Sequence, residues 1–150
     1  LNNDSMQNVT TEITLKKAEK SNEKGLTKLE KQFIGEWVLA EYEDNMIRNK
    51  EETEDFKNSI ENLKVIFKLI FYKNKTFSRF GFSIDGEKGV WEYDEINKTL
   101  SLSQENSTYT DELNVEFIDD KNLKLIINQE LEINDSLQYI KTELTLKKVK

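Results

Sequence analysis

From Phe33 onward, apolar side chains recur mostly at every second position. That is the period of a β-strand with one buried and one wetted face. FIGEWVLAEYE, residues 33–43, predicts a first long strand. The alternation then stops in EDNMIRNKEETEDFKNSIEN. There Asn49 followed by Glu52 has the spacing of a capping box, and Phe56, Ile60 and Leu63 mark one face of a short helix. LKVIFKLIFY predicts a second strand from Leu63, ending in the turn KNK. TFSRFGF predicts a third that ends in DGEK, where Gly86 supplies turn geometry. GVWEY, TLSLS, DELNVEFI, LKLIIN and SLQYIKTELTLKK come next, joined by short polar loops.

Eight consecutive antiparallel strands suit an all-β, up-and-down barrel, which closes its own edges. A short helix sits between strands 1 and 2. Parity assigns the inward set. It comprises Trp37 and Leu39, then Leu63, Val65, Phe67, Leu69 and Phe71, then Phe77, Trp91 and Tyr93, with Leu100 and Leu102. Leu113, Val115, Phe117, Leu123, Leu125, Ile127, Ile140, Leu144 and Leu146 complete it. Lys64, Lys68, Glu92, Asn114, Glu116, Lys124 and Lys141 fall on the opposite faces.

The final strand has a near copy at the other end of the chain. NDSMQNVTTEITLKK, residues 3–17, aligns without gaps on NDSLQYIKTELTLKK, residues 134–148, with ten of fifteen positions identical. Chance gives about one identity in fifteen. The offset of 131 residues is a domain length, longer than a solenoid period. Two accounts fit. Residues 1–19 are the last strand of a preceding repeat plus a linker, with a barrel domain over 20–150. Alternatively, the spare strand, 9–17, pairs with the sheet edge of a neighbouring molecule and mediates self-association. The Lys- and Glu-rich stretch after it reads as a linker or short helix, with Leu26, Leu29 and Phe33 as a helical stripe. The first residue is Leu, so a processed chain or a piece of a longer one is expected.

Composition narrows the chemistry. The 150 residues are 36% apolar, enough for one modest core, and the net charge is −7. An acidic balance disfavours nucleic acid and anionic membrane surfaces, which need clustered Lys and Arg. The longest apolar run, VIFKLIFY, is interrupted by Lys68 and is too short for a membrane span. Cys, His and Pro are absent. Thiolate nucleophiles, disulfides, the common zinc ligands and a serine–histidine triad are thereby excluded. No cofactor, metal site or catalytic residue is expected.

The order GEW (Gly35, Glu36, Trp37), NKTF (Asn74 to Phe77) and GVW (Gly89, Val90, Trp91) resembles the bacterial lipocalin-like domains of exported and surface proteins. The resemblance spans about Leu29 to Lys150. It implies an extracytoplasmic location and a binding role, with small apolar molecules as the common ligands; without His or Cys, no enzyme is expected. Two family features differ. Lipocalins proper pack an Arg near the last strand on the first Trp, whereas this chain has only Arg48 and Arg79. Their T-D-Y motif between strands 6 and 7 is replaced by DDKN. The alternative role is a structural repeat subunit of a surface assembly, with a filled barrel and no ligand.

Trp37 and Trp91 either line a cavity or, more in keeping with their bulk, plug the barrel floor. Phe67, Phe71, Phe77 and Tyr93 are candidates for an apolar cup. Arg79 shares parity with Phe77, and it either anchors a ligand carboxylate or pairs with carboxylates at the rim. Parity makes Glu41 the one acid expected to face the interior, where it would be a weak acid–base candidate. The bulky inward set predicts a small cavity or none.

Overall fold

The computed structural model describes residues 25–149. The near copy of the last strand at residues 3–17 lies outside the described residues. Helix α1 (Lys28–Phe33) leads into β1 (Gly35–Asp44), and helix α2 (Lys50–Ile66) connects β1 to β2 (Lys68–Phe71). Then come β3 (Thr76–Phe80), β4 (Glu87–Asp94), β5 (Thr99–Gln104), β6 (Thr110–Asp119), β7 (Asn122–Ile133) and β8 (Ser136–Val149). Each strand pairs antiparallel with the next, and β8 pairs with β1, closing the predicted eight-stranded barrel. No helix among the described residues is long and apolar enough to cross a membrane.

Both helices begin with capping boxes. Thr27 and Glu30 cap α1, and Asn49 and Glu52 cap α2 as the spacing predicts. The predicted second strand needs correction. Leu63, Lys64, Val65 and Ile66 are the last turn of α2, and Val65 is 83% exposed rather than inward. Phe56, Ile60, Leu63 and Phe67 continue a helical stripe at steps of four, three and four. Alternation at Leu63, Val65 and Phe67 coincides with it. The capping box starts the helix, and its own face carries it through to Phe67.

The first strand likewise starts later than predicted. Phe33 ends α1 rather than opening β1, and Gly35 makes the turn between them at φ +130°, a conformation side chains oppose. At Gly89 the need is space, because a Cβ there would collide with the Ser103 carbonyl of the neighbouring strand. A bulge between Leu39 and Glu41 breaks the parity of β1. Leu39 faces Leu146 across the ladder, but Tyr42 is the residue opposite Leu144. Glu41 is therefore exposed, contrary to its expected inward position, and Tyr42 turns in.

α1 seals one end of the barrel. Phe33 sits at the centre of the seal, its ring 4.9 Å from Tyr93, 5.1 Å from Phe117, 5.4 Å from Phe71 and 5.6 Å from Trp91. The Trp37 indole donates to the Phe33 carbonyl at 2.8 Å. Lys148 of β8 donates to the Gln32 carbonyl at 2.8 Å and places its ammonium 5.0 Å from the Trp37 ring. Trp37 thus has a cation over it, although no Arg lies on the last strand. Burial pushes the Lys148 pKa down. α1 is also tied to the turn after β2, where Lys75 pairs with Glu30 at 2.7 Å.

At the opposite end, β7 and β8 run on past their neighbours. β6 pairs with β7 only as far as Ile126, and β1 pairs with β8 only as far as Thr142. The remaining residues form a two-stranded arm ending in Asn134 and Asp135, both at positive φ, as a two-residue hairpin requires. The Asn45 side chain braces this arm, donating to the Tyr139 carbonyl and accepting from the Lys141 amide.

Candidate functional site

The end spanned by α2 is hollow. A cavity of about 470 Å³ opens there. Its apolar wall is Leu69, Leu102, Leu113, Leu125, Ile127 and Leu144, drawn from β2, β5, β6, β7 and β8. Phe67 and Phe82 stand at its rim with rings 5.6 Å apart. The bulky inward set predicts less space. The difference lies at the helical turn Leu63 to Ile66: β2 is only four residues long, Val65 is exposed, and Leu63 packs on the core from α2 without lining the cavity.

A buried cation faces this cavity. Arg79, next to last in β3, is 9% exposed. Its Nε donates to Glu87 Oε1 at 2.6 Å, and its Nη1 donates to Asp111 Oδ2 at 3.0 Å. The guanidinium also lies 5.5 Å from the Phe82 ring centroid and 5.9 Å from that of Phe77. Of the two alternatives for Arg79, pairing with rim carboxylates is the one observed. Tyr109 stands beside this trio, and a hydrogen bond to Asp111 raises its phenol pKa.

A second cluster fastens α2 to the barrel at the same end. Arg48 grips Asp44 with two hydrogen bonds, 2.9 and 2.8 Å long, and the Asp44 side chain is only 2% exposed. That bidentate pairing holds the Asp44 carboxyl below its ordinary pKa despite burial. Arg48 also lies 3.6 Å over the Phe56 ring, which packs edge-on against Tyr42 at 5.2 Å. Burial, and after it the Asp44 charge, pushes the Tyr42 phenol up. α2 buries none of its residues fully, so this cluster and Leu63 are its main moorings.

The sequence-predicted site residues thus divide by depth. Phe67 and Arg79 line the cavity. Phe77 is fully buried beneath Arg79. Trp37, Phe71, Trp91 and Tyr93 belong to the aromatic floor around Phe33 and do not line the cavity. Glu87, Asp111, Tyr109 and Phe82 line it although the sequence does not predict them as site residues. Parity carries a signal for two of them: Glu87 is in step with Gly89 and Trp91, and Asp111 is in step with Leu113.

Compared with known proteins, the chain matches no protein-family model, no curated protein and no solved structure at a significant level.

Proposed function

We propose that this barrel is a non-enzymatic, lipocalin-like binding module that holds one small, mostly apolar molecule in its open-end cavity. The cavity itself carries the reading. An eight-stranded barrel is either filled by side chains or left with room for one small ligand. Here the aromatic floor fills one end and about 470 Å³ remains at the other, within the usual range of roughly 300–1,000 Å³ for ligand pockets. The order Gly35-x-Trp37, then Gly89-x-Trp91, supports the lipocalin-like assignment and, through it, an exported or surface location. The lack of His and Cys, with Glu41 turned to solvent, argues against catalysis. The near identity of residues 3–17 and 134–148 supports a tandem or strand-exchanged arrangement, with 9–17 as the self-associating strand.

The second reading is a structural repeat subunit with no ligand, favoured by the tightly packed floor. A neutral apolar dye, N-phenyl-1-naphthylamine, separates the two. Saturable fluorescence enhancement is expected with the wild-type chain and should be lost in Ile127→Trp, which fills the cavity. Absence of saturable binding to the wild type transfers the case to the structural role.

A further inference from the structure

We propose that the cavity selects a cationic amphiphile, an ammonium or amine group carried on a short apolar body. This rests on the cavity being a ligand site and concerns which chemical class enters it.

Arg79 carries one positive charge into the rim, and Glu87 and Asp111 carry two negative ones. The balance of these three groups is one negative charge, and Glu112, which also lines the cavity, adds another. Both Arg79 contacts to the carboxylates are short, and the Phe77 and Phe82 rings lie close to the guanidinium. A ligand carboxylate approaching Arg79 meets two like charges for one opposite charge. An ammonium meets the reverse. Oε2 of Glu87 is not engaged by Arg79 and offers an acceptor to an N–H donor, while Asp111, which Tyr109 also approaches, adds its charge. The apolar wall formed by Leu102, Leu113, Leu125 and Ile127 lowers the local dielectric, which strengthens this discrimination.

Position gives the ligand a direction. Arg79 is near the end of β3, Glu87 opens β4 and Asp111 is second in β6, so all three lie at the α2 end. Glu87 and Asp111 side chains remain about one-fifth exposed (20% and 21%). A charged head held there keeps part of its hydration while the tail lies inward, and the cost of burying an ion is avoided.

Titration calorimetry of the full chain at neutral pH and low salt with decylammonium, decanol and decanoate tests this. Decylammonium should bind about tenfold or more tighter than decanoate, a gap of about 1.4 kcal/mol. Decanol should fall between them, and added salt should narrow the gap. In Glu87→Gln/Asp111→Asn, Arg79 is left opposite Glu112 alone, so the preference for decylammonium should be lost, and a preference that persists overturns the proposal. If decanoate binds the wild type as tightly as decylammonium, the class assignment fails while the cavity stands as a ligand site. If none of the three binds, both readings fall. Should the double variant not fold by circular dichroism, the wild-type salt series decides, since a gap indifferent to salt overturns the proposal.

Discussion

Phe33 shows how one side chain can close a barrel. It is fully buried and touches four other aromatic rings from β2, β4 and β6. Its backbone carbonyl also accepts the Trp37 indole hydrogen. Truncation leaves a void in a rigid aromatic floor that cannot collapse into it. Phe33→Ala should therefore cost about 3–5 kcal/mol, read as a lower urea midpoint. Little change in that midpoint would show that the floor is held by the strands alone. Such a residue is hard to weigh from sequence. Phe33 fits the helical period set by Leu26 and Leu29 and equally the strand period that continues to Trp37 and Leu39. The capping box at Thr27 and Glu30 and the turn at Gly35 together assign it to α1.

At the scale of elements, α2 is the described element that buries no residue fully, and its attachment is ionic as much as apolar. Arg48→Ala removes the partner of a buried carboxylate and the cation over Phe56 together. An unpaired buried charge is costly, so a loss of about 3 kcal/mol or more is expected. Amides of residues 50–66 should exchange faster than those of the strands, and hydrogen exchange can check it. Equal acceleration throughout would mean that α2 opens only with the whole barrel. The strands themselves were legible, since period-two alternation identifies β1, β3 to β6 and β8 to within two residues, and β7 except for its last five, which lie in the two-stranded arm. Two local events were not. The turn Leu63–Ile66 satisfies both periods, and the bulge after Leu39 reverses the parity that placed Glu41 inside. Candidate site residues were legible as inward but not by depth. Depth depends on how strands stagger around the barrel, which side-chain alternation does not encode.

For the molecule as a whole, acid is the natural stress. Asp44, paired with Arg48, has a pKa below its ordinary value. Glu30 does too: burial raises its pKa, but Lys75 and the Thr27 amide together outweigh that effect. A carboxyl whose folded pKa is depressed contributes stability above its unfolded pKa and loses it as pH falls through the folded value. Both contributions should be complete above about pH 5 and should be lost progressively below about pH 4. The melting temperature should fall across that window, and less steeply in Asp44→Asn. Lys148 acts in the opposite range. Its lowered pKa means that burial penalises the charged form, a penalty relieved as pH rises from the folded value toward the unfolded one. The position of Lys148 has a further consequence for biosynthesis. β8 supplies both the neighbour that β1 lacks and the ammonium beside the floor. During translation, β1 must therefore leave the ribosome and wait, half-paired, for a segment about a hundred residues behind it. Such distant pairing folds slowly. Until β8 emerges, the nascent chain presents an open sheet edge to whatever chaperone or neighbouring chain reaches it first.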